Sequence, residues 1–186
     1  MLQQRTVAGL QHLVDQGDLL LDVELVEFAD VSQGVLDVSK IVFPVAVVLT
    51  QTCDVQEDYA IRWGNAGDGH PRKVMLTYLV APLYNAAQLI GGTHLKDLGI
   101  ELPKIESETE QQYMRNNAHA RYHYLHFGDD VPIADSIVDF KHYFTASPAH
   151  LLERKKNGFV CRLDVPHREA LSDRFAAWLS RVGLPE

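Results

Sequence analysis

Four consecutive residues, Gln51-Thr52-Cys53-Asp54, place a carboxamide, a hydroxyl, a thiol and a carboxylate directly behind the most apolar run of the chain. A thiol becomes a nucleophile when a neighbouring base or cation lowers its pKa. Cys53 is therefore a candidate nucleophile, and Asp54 a candidate base or orienting group. Gln51 and Thr52 would form the wall of a binding pocket. The plainer reading makes Cys53 a small buried side chain and Asp54 the cap of a turn. Of the histidines, His119, His123, His126 and His142 lie on elements that could approach such a site, with His123 taken as a binding residue.

A second group is Arg115, Asn116, Asn117 and Arg121. Guanidinium groups at a helix-to-strand junction can hold phosphate in a bidentate manner, and asparagines can read a base or ribose. Arg121 is expected to stabilise phosphate charge in a reaction, and Arg115 and Asn116 to bind. The alternative is a solvated helix end whose cations offset the helix dipole. His119-x3-His123 has a spacing that zinc could use on a helix, but the stretch passes from helix into strand, and no metal site is assigned. Lys141-His142 and Arg154-Lys155-Lys156 form the most basic region, the latter read as a loop. With Tyr122, Tyr124 and Tyr143 they could face RNA. Arg168, Arg174 and Arg181 read as the outer face of the last helix. No cofactor motif is present.

The formal net charge of −8 argues against a mainly electrostatic grip on nucleic acid. The two cysteines, Cys53 and Cys161, make neither a CxxC pair nor a disulfide framework, which points to a reducing, cytoplasmic setting. Ile41 to Thr50 is too short to span a bilayer, and no membrane partner is expected. The 186 residues suit a single domain.

These candidates need elements to hold them. Val7, Leu10, Leu13 and Val14 recur at helical spacing and predict an opening helix. Leu19 to Phe28 alternates as a strand, and Ser32-Gln33-Gly34 is a turn. Ile41 to Thr50 predicts a strand buried on both faces, its regular ladder starting after Pro44 and ending near Cys53. Tyr59 to Arg72 reads as a polar loop and Lys73 to Pro82 as the next strand. Residues 84–120 look like a helical insertion, with Ser107-Glu108-Thr109-Glu110 spaced as a capping box. Arg121 to Phe127, Ser136 to Ala146 and Phe159 to Val165 predict three more strands. An amphipathic helix then carries Leu171, Phe175, Trp178, Leu179 and Val182 on one face. The fold class is mainly β (α+β), a small β-barrel with a helical insertion and a C-terminal helix.

The order of elements resembles the PemK/MazF-like toxins. The likeness rests on Gly17-Asp18-Leu19-Leu20, on Pro44 to Thr50 followed by Leu79-Val80-Ala81-Pro82-Leu83, and on Ser136-Ile137-Val138-Asp139, Gly158-Phe159-Val160-Cys161 and the helix from His167 to Val182. The resemblance implies an SH3-like barrel and a toxin-antitoxin or phage-defence setting. The family's ribonucleases place a Lys-x-Arg-Pro type sequence before the second strand, whereas this chain has Lys40-Ile41-Val42-Phe43-Pro44. They place a Ser or Thr after the proline of the next strand, whereas Leu83 and Tyr84 follow Pro82. Three functions stay open: binding or cleaving nucleic acid or nucleotides, a non-catalytic module docking a partner protein or a second copy, and a Cys-dependent hydrolase.

Overall fold

The computed structural model describes residues 6–7, 13–64 and 71–181. Its strands are β1 (Thr6–Val7), β2 (Asp18–Ser32), β3 (Val35–Val48), β4 (Tyr78–Asn85), β5 (Tyr122–Leu125), β6 (Ser136–Asp139), β7 (Phe144–Ala146) and β8 (Phe159–Leu163). Its helices are α1 (Thr52–Trp63), α2 (Ala86–Ile90), α3 (Glu108–Arg115), α4 (Pro148–Asn157) and α5 (Val165–Leu179). The sheet order is β1-β8-β2-β3-β4-β6-β5, with β7 also paired to β4 and every pairing antiparallel. The result is an α+β fold: an antiparallel sheet curled into a half-barrel, as expected of the class, with a helical insertion and a closing helix.

Why the run before Thr50 is so apolar follows from its two neighbours. Val47 and Leu49 face a core shared with Leu171 and Phe175 of α5. Ala46 and Val48 face a second core with Val55 of α1 and Leu151 of α4. A strand covered on both faces by helices needs no polar alternation. The ladder, however, does not wait for Pro44, because β3 begins at Val35. Pro44 falls opposite Asp22, between the pairs Leu21↔Val45 and Val23↔Phe43, and Asp22 adopts a φ of 55°. The irregular backbone sits where proline has no N–H to give, so the ladder continues past it.

β2 and β3 form one long hairpin closed by Gln33 (φ 51°) and Gly34 (φ 80°). Two successive positive φ values are the turn geometry that matches strand twist. Beyond a bulge between Val26 and Phe28, the register puts Ala29, Val31, Leu36 and Val38 on one face. Val31, Leu36 and Val38 are exposed there.

Several sequence expectations are corrected. The strand ends at Val48 and not near Cys53, and Gln51 is the N-cap of α1. Tyr59–Trp63 belong to that helix rather than to a loop, because buried Asp58 ties it down. The Asp58 carboxylate accepts from Arg62 Nε, from Met75 N at 2.7 Å and from Tyr78 Oη at 2.7 Å. β4 accordingly starts at Tyr78 and not at Lys73. Arg154-Lys155-Lys156 lie in α4, started by Ser147 and Pro148, and Lys155 is buried. Ser136–Ala146 is two strands separated by a 3₁₀ turn at Phe140–His142, which the side chain of Asp139 caps. The opening helix lies largely outside the described residues, and Thr6–Val7 form a short strand against β8. Among the described residues no helix is long and apolar enough to cross a membrane.

One ion cluster joins the two ends of the chain. Asp18, fully buried at the start of β2, meets Lys155 Nζ at 2.9 Å and Arg162 Nε at 2.7 Å. Arg162 also reaches Asp15 at 3.1 Å. Burial pulls the Lys155 amine below its ordinary value, and Asp18 offsets part of that fall.

Candidate active site

The insertion after β4 builds the site. α2 is capped by Asn85, whose side chain accepts from the N–H groups of Ala87 and Gln88. Gly92 then turns with a φ of 77°, and a Cβ there would lie 2.0 Å from the carbonyl oxygen of Leu102. Only glycine fits this close approach. The turn seats Leu95 in a third core with Tyr84, Met114, Tyr124 and Ile137. It thereby lays the His94 ring against Tyr84, centroids 4.7 Å apart.

Tyr84 Oη lies 3.0 Å from His142 Nδ1. Asp139 Oδ2 lies 3.7 Å from the same nitrogen. Asp139, almost fully enclosed, is held in turn by Arg121 through Nε at 2.7 Å and through Nη2, which leaves Nη1 outside the pair. The two imidazoles are 6.4 Å apart, and both ring nitrogens of His94 are buried, with no well-formed hydrogen bond among the described residues although the Gln88 backbone favours the protonated ring. Burial lowers the pKa of both histidines from the ordinary value, and for His94 the charge of His142 adds to that effect. A proton on His142 thus disfavours one on His94. Burial also raises the Tyr84 phenol, which stays protonated.

Arg121 sits on a turn fastened from three sides. The Asn117 side chain pairs with the backbone of Tyr124, accepting at 2.6 Å and donating at 3.0 Å. Arg174 of α5 donates to the carbonyls of Asn117, His119 and Tyr122. Arg174 is therefore no part of an outer face: its guanidinium replaces the hydrogen bonds that this irregular backbone lacks. The Arg121 guanidinium lies over the Tyr122 ring at 4.9 Å.

Two clefts of about 250 and 260 Å³ flank Tyr84. They share Phe43, Tyr84, Leu95 and Leu98 as a common wall. His94 opens to the first cleft and His142 to the second.

The sequence candidates fall in two separate places. Gln51, Thr52, Cys53 and Asp54 form the first turn of α1. Cys53 is exposed, with the Gln51 carboxamide and the Asp54 carboxylate each 3.8 Å from Sγ. Among the described residues no hydrogen bond or ion pair joins this turn to Arg115, Asn116, Arg121 or His123. Arg115 ends α3, exposed, and Asn116 is the C-cap, its Oδ1 accepting from Gln112. A shallow groove of about 450 Å³ runs along α3 past Asn116. Among the described residues no three His, Cys, Asp or Glu side chains form a metal-holding group. Tyr84, His94 and Asp139 were not singled out from sequence. The available signals were Asp139-x-x-His142, which one helical turn brings together, and a histidine just after the Gly91-Gly92 turn.

His123 lies inside the core, 2 % exposed, and neither ring nitrogen has a partner among the described residues. Burial, with the charges of Arg174 and His167, pulls its pKa down to about 3. An unfolded histidine titrates near 6.5, so below that pH the unfolded chain takes up a proton that the folded one refuses. This share of stability is whole above pH 6.5 and is lost as pH falls towards 3. Between pH 7 and pH 4.5 the loss is roughly 2–3 kcal/mol. Urea unfolding at both pH values is expected to show a smaller acid loss in a His123→Leu variant than in the parent. An equal loss in both proteins would count against this account.

Comparison with protein-family models, with curated proteins and with solved structures finds no match. Fold and site therefore define the class: a curled-sheet α+β protein with a paired-histidine cluster beneath a helical insertion.

Proposed function

We propose that the protein cleaves RNA by acid–base transphosphorylation at the cluster of His142, His94, Tyr84, Asp139 and Arg121. The observation that carries this reading is the ordered chain Asp139–His142–Tyr84 beside the His94 ring, 6.4 Å from His142. Asp139 beside Nδ1 favours the tautomer protonated there, with Tyr84 Oη as acceptor, which leaves the lone pair on Nε2. His142 Nε2 takes the 2′-hydroxyl proton, and the freed oxygen attacks the adjacent phosphorus. The bond to the 5′-oxygen breaks, and His94, once its buried ring turns toward the first cleft, supplies the proton to that leaving group. The products are a 2′,3′-cyclic phosphate and a 5′-hydroxyl. Arg121 Nη1 offers a donor for charge on the phosphoryl oxygens. Mutual repulsion of the two imidazoles favours a single shared proton, the state that such a mechanism needs.

The resemblance to PemK/MazF-like toxins supports the same substrate class and suggests a cytoplasmic toxin-antitoxin or phage-defence role. Labelled RNA, DNA and 2′-O-methyl RNA of one sequence test the reading. Cleavage of RNA alone, ending in cyclic phosphate, is expected. Its rate should peak on the acid side of pH 6.5, because both histidine pKa values are lowered. Equal cleavage of 2′-O-methyl RNA would sink the mechanism. A second reading, a non-catalytic docking module, is favoured by the exposed apolar face of the β2–β3 hairpin. Uncleaved RNA together with a stoichiometric co-purifying protein would support it.

A further inference from the structure

We propose that the cleft between β3 and α2 is a nucleobase subsite that selects guanine, an inference that rests on the RNA reading of the neighbouring histidines. At about 250 Å³ the cleft lies below the roughly 300–1,000 Å³ typical of pockets for drug-sized ligands. It suits one flat heteroaromatic ring with the ribose left outside. Val42, Pro44 and Ile133 are among its apolar lining and offer surface for contact with a ring. Polar side chains complete the lining, and a few polar groups in a largely apolar cleft orient a ring rather than merely bury it.

Gln88 and His94 also line the cleft, and three other polar groups there have fixed roles. Asn85 Oδ1 is committed to the N–H groups of Ala87 and Gln88, so its Nδ2 is the free, oriented donor. Ser136 Oγ donates to the carbonyl of Ala134 and retains only acceptor capacity. Asp97, on the exposed 3₁₀ turn at Lys96–Leu98, contributes a carboxylate, which in ionised form only accepts. The Asn85 donor beside the Ser136 and Asp97 acceptors is the complement of an edge with one acceptor next to two donors. Guanine alone presents that edge, with O6 beside N1–H and the 2-amino group. Adenine and cytosine place an unprotonated ring nitrogen where the carboxylate would stand, and uracil has a single donor. The cleft shares Tyr84 and Leu95 with the cleft that holds His142, so a base seated here brings its own ribose to the histidines. Cleavage on the 3′ side of guanosine follows.

The test titrates the full chain with 3′-GMP, 3′-AMP, 3′-CMP, 3′-UMP and 3′-IMP, followed by calorimetry and by amide shifts. Binding of 3′-GMP about 10-fold or more tighter than the others is expected, including 3′-IMP, which lacks the 2-amino group. Shifts should centre on Asn85, Gln88 and Asp97. An Asp97→Asn variant, altered at an exposed position, should remain folded and lose the preference. Equal binding of all five, absence of binding, or a guanine preference unchanged in Asp97→Asn overturns the subsite. If 3′-GMP binds as expected but no RNA is cut, the subsite stands and the catalytic reading falls. If RNA is cut without regard to base, the reverse holds.

Discussion

Replacing Asp18 by asparagine is expected to lower stability by about 3–5 kcal/mol, the usual cost of breaking a buried ion pair. The reason is position rather than charge count. Lys155 is almost fully buried and its ammonium is matched by Asp18, with the Phe159 ring at 3.3 Å below it. Arg162 keeps Asp15 when Asp18 is lost, but among the described residues Lys155 has no other carboxylate within ion-pair distance. In a chain of this length each kcal/mol moves the melting temperature by roughly 2–4 °C. A fall of about 6–20 °C is therefore expected for Asp18→Asn. Pairing it with Lys155→Met removes the stranded cation and should recover most of the loss. The exposed Arg154–Glu153 pair is the control, and Glu153→Gln should change stability by less than about 0.5 kcal/mol. An Asp18→Asn protein within about 1 kcal/mol of the parent would show that water or rearrangement satisfies Lys155.

Loss of the His142 imidazole is expected to slow RNA cleavage by about 10²–10⁴-fold, the usual worth of a positioned proton-transfer group. His142→Ala removes the base but leaves Asp139 paired with Arg121, so the turn should persist. The side chain is partly exposed, and the melting temperature should move by only a few degrees. Tyr84→Phe should cost far less, because it removes a partner of Nδ1 and leaves Nε2 in place. The pH profile separates base from bystander. In His142→Ala the rise of rate with pH that belongs to base deprotonation should vanish, and the fall that belongs to His94 should remain. Cleavage unaffected by His142→Ala would place the chemistry elsewhere, with the Cys53 turn as the next site to test.

Much of the fold is legible in the order of apolar runs, while the site is not. The buried strand before Thr50, the Ser107 cap and the amphipathic α5 follow from local patterns that tertiary contacts reinforce. α1 does not, because its pattern is weakly amphipathic and it is held by Asp58, whose partners Met75 and Tyr78 are remote in sequence. α4 is hidden by a buried lysine, a residue type that reads as solvent-facing until its partner from β2 is known. The candidate site draws on β4, the insertion, the turn before β5 and the turn after β6. No short window holds more than the pair Asp139 and His142. Arg121 reads from residue type as a phosphate ligand, whereas its partner Asp139 comes within reach only through the pairing of β5 with β6. Cys53 drew notice by residue type, yet its contacts are a neighbouring carboxamide and carboxylate.

The long β2–β3 hairpin also bears on the order of assembly. Its two strands are consecutive in sequence and joined by a two-residue turn with glycine at its second position, so the loss of chain entropy on pairing them is small. A ladder of this kind closes on a time scale of about 1–10 μs, zipping outward from Gln33-Gly34. The contact of Asp18 with Arg162 spans 144 positions and must wait for the intervening chain. The hairpin is therefore available as an early template on which β4 and then the insertion add. The buried ion cluster is the late step that locks the first described strands to the last, so its loss should speed unfolding more than it slows folding.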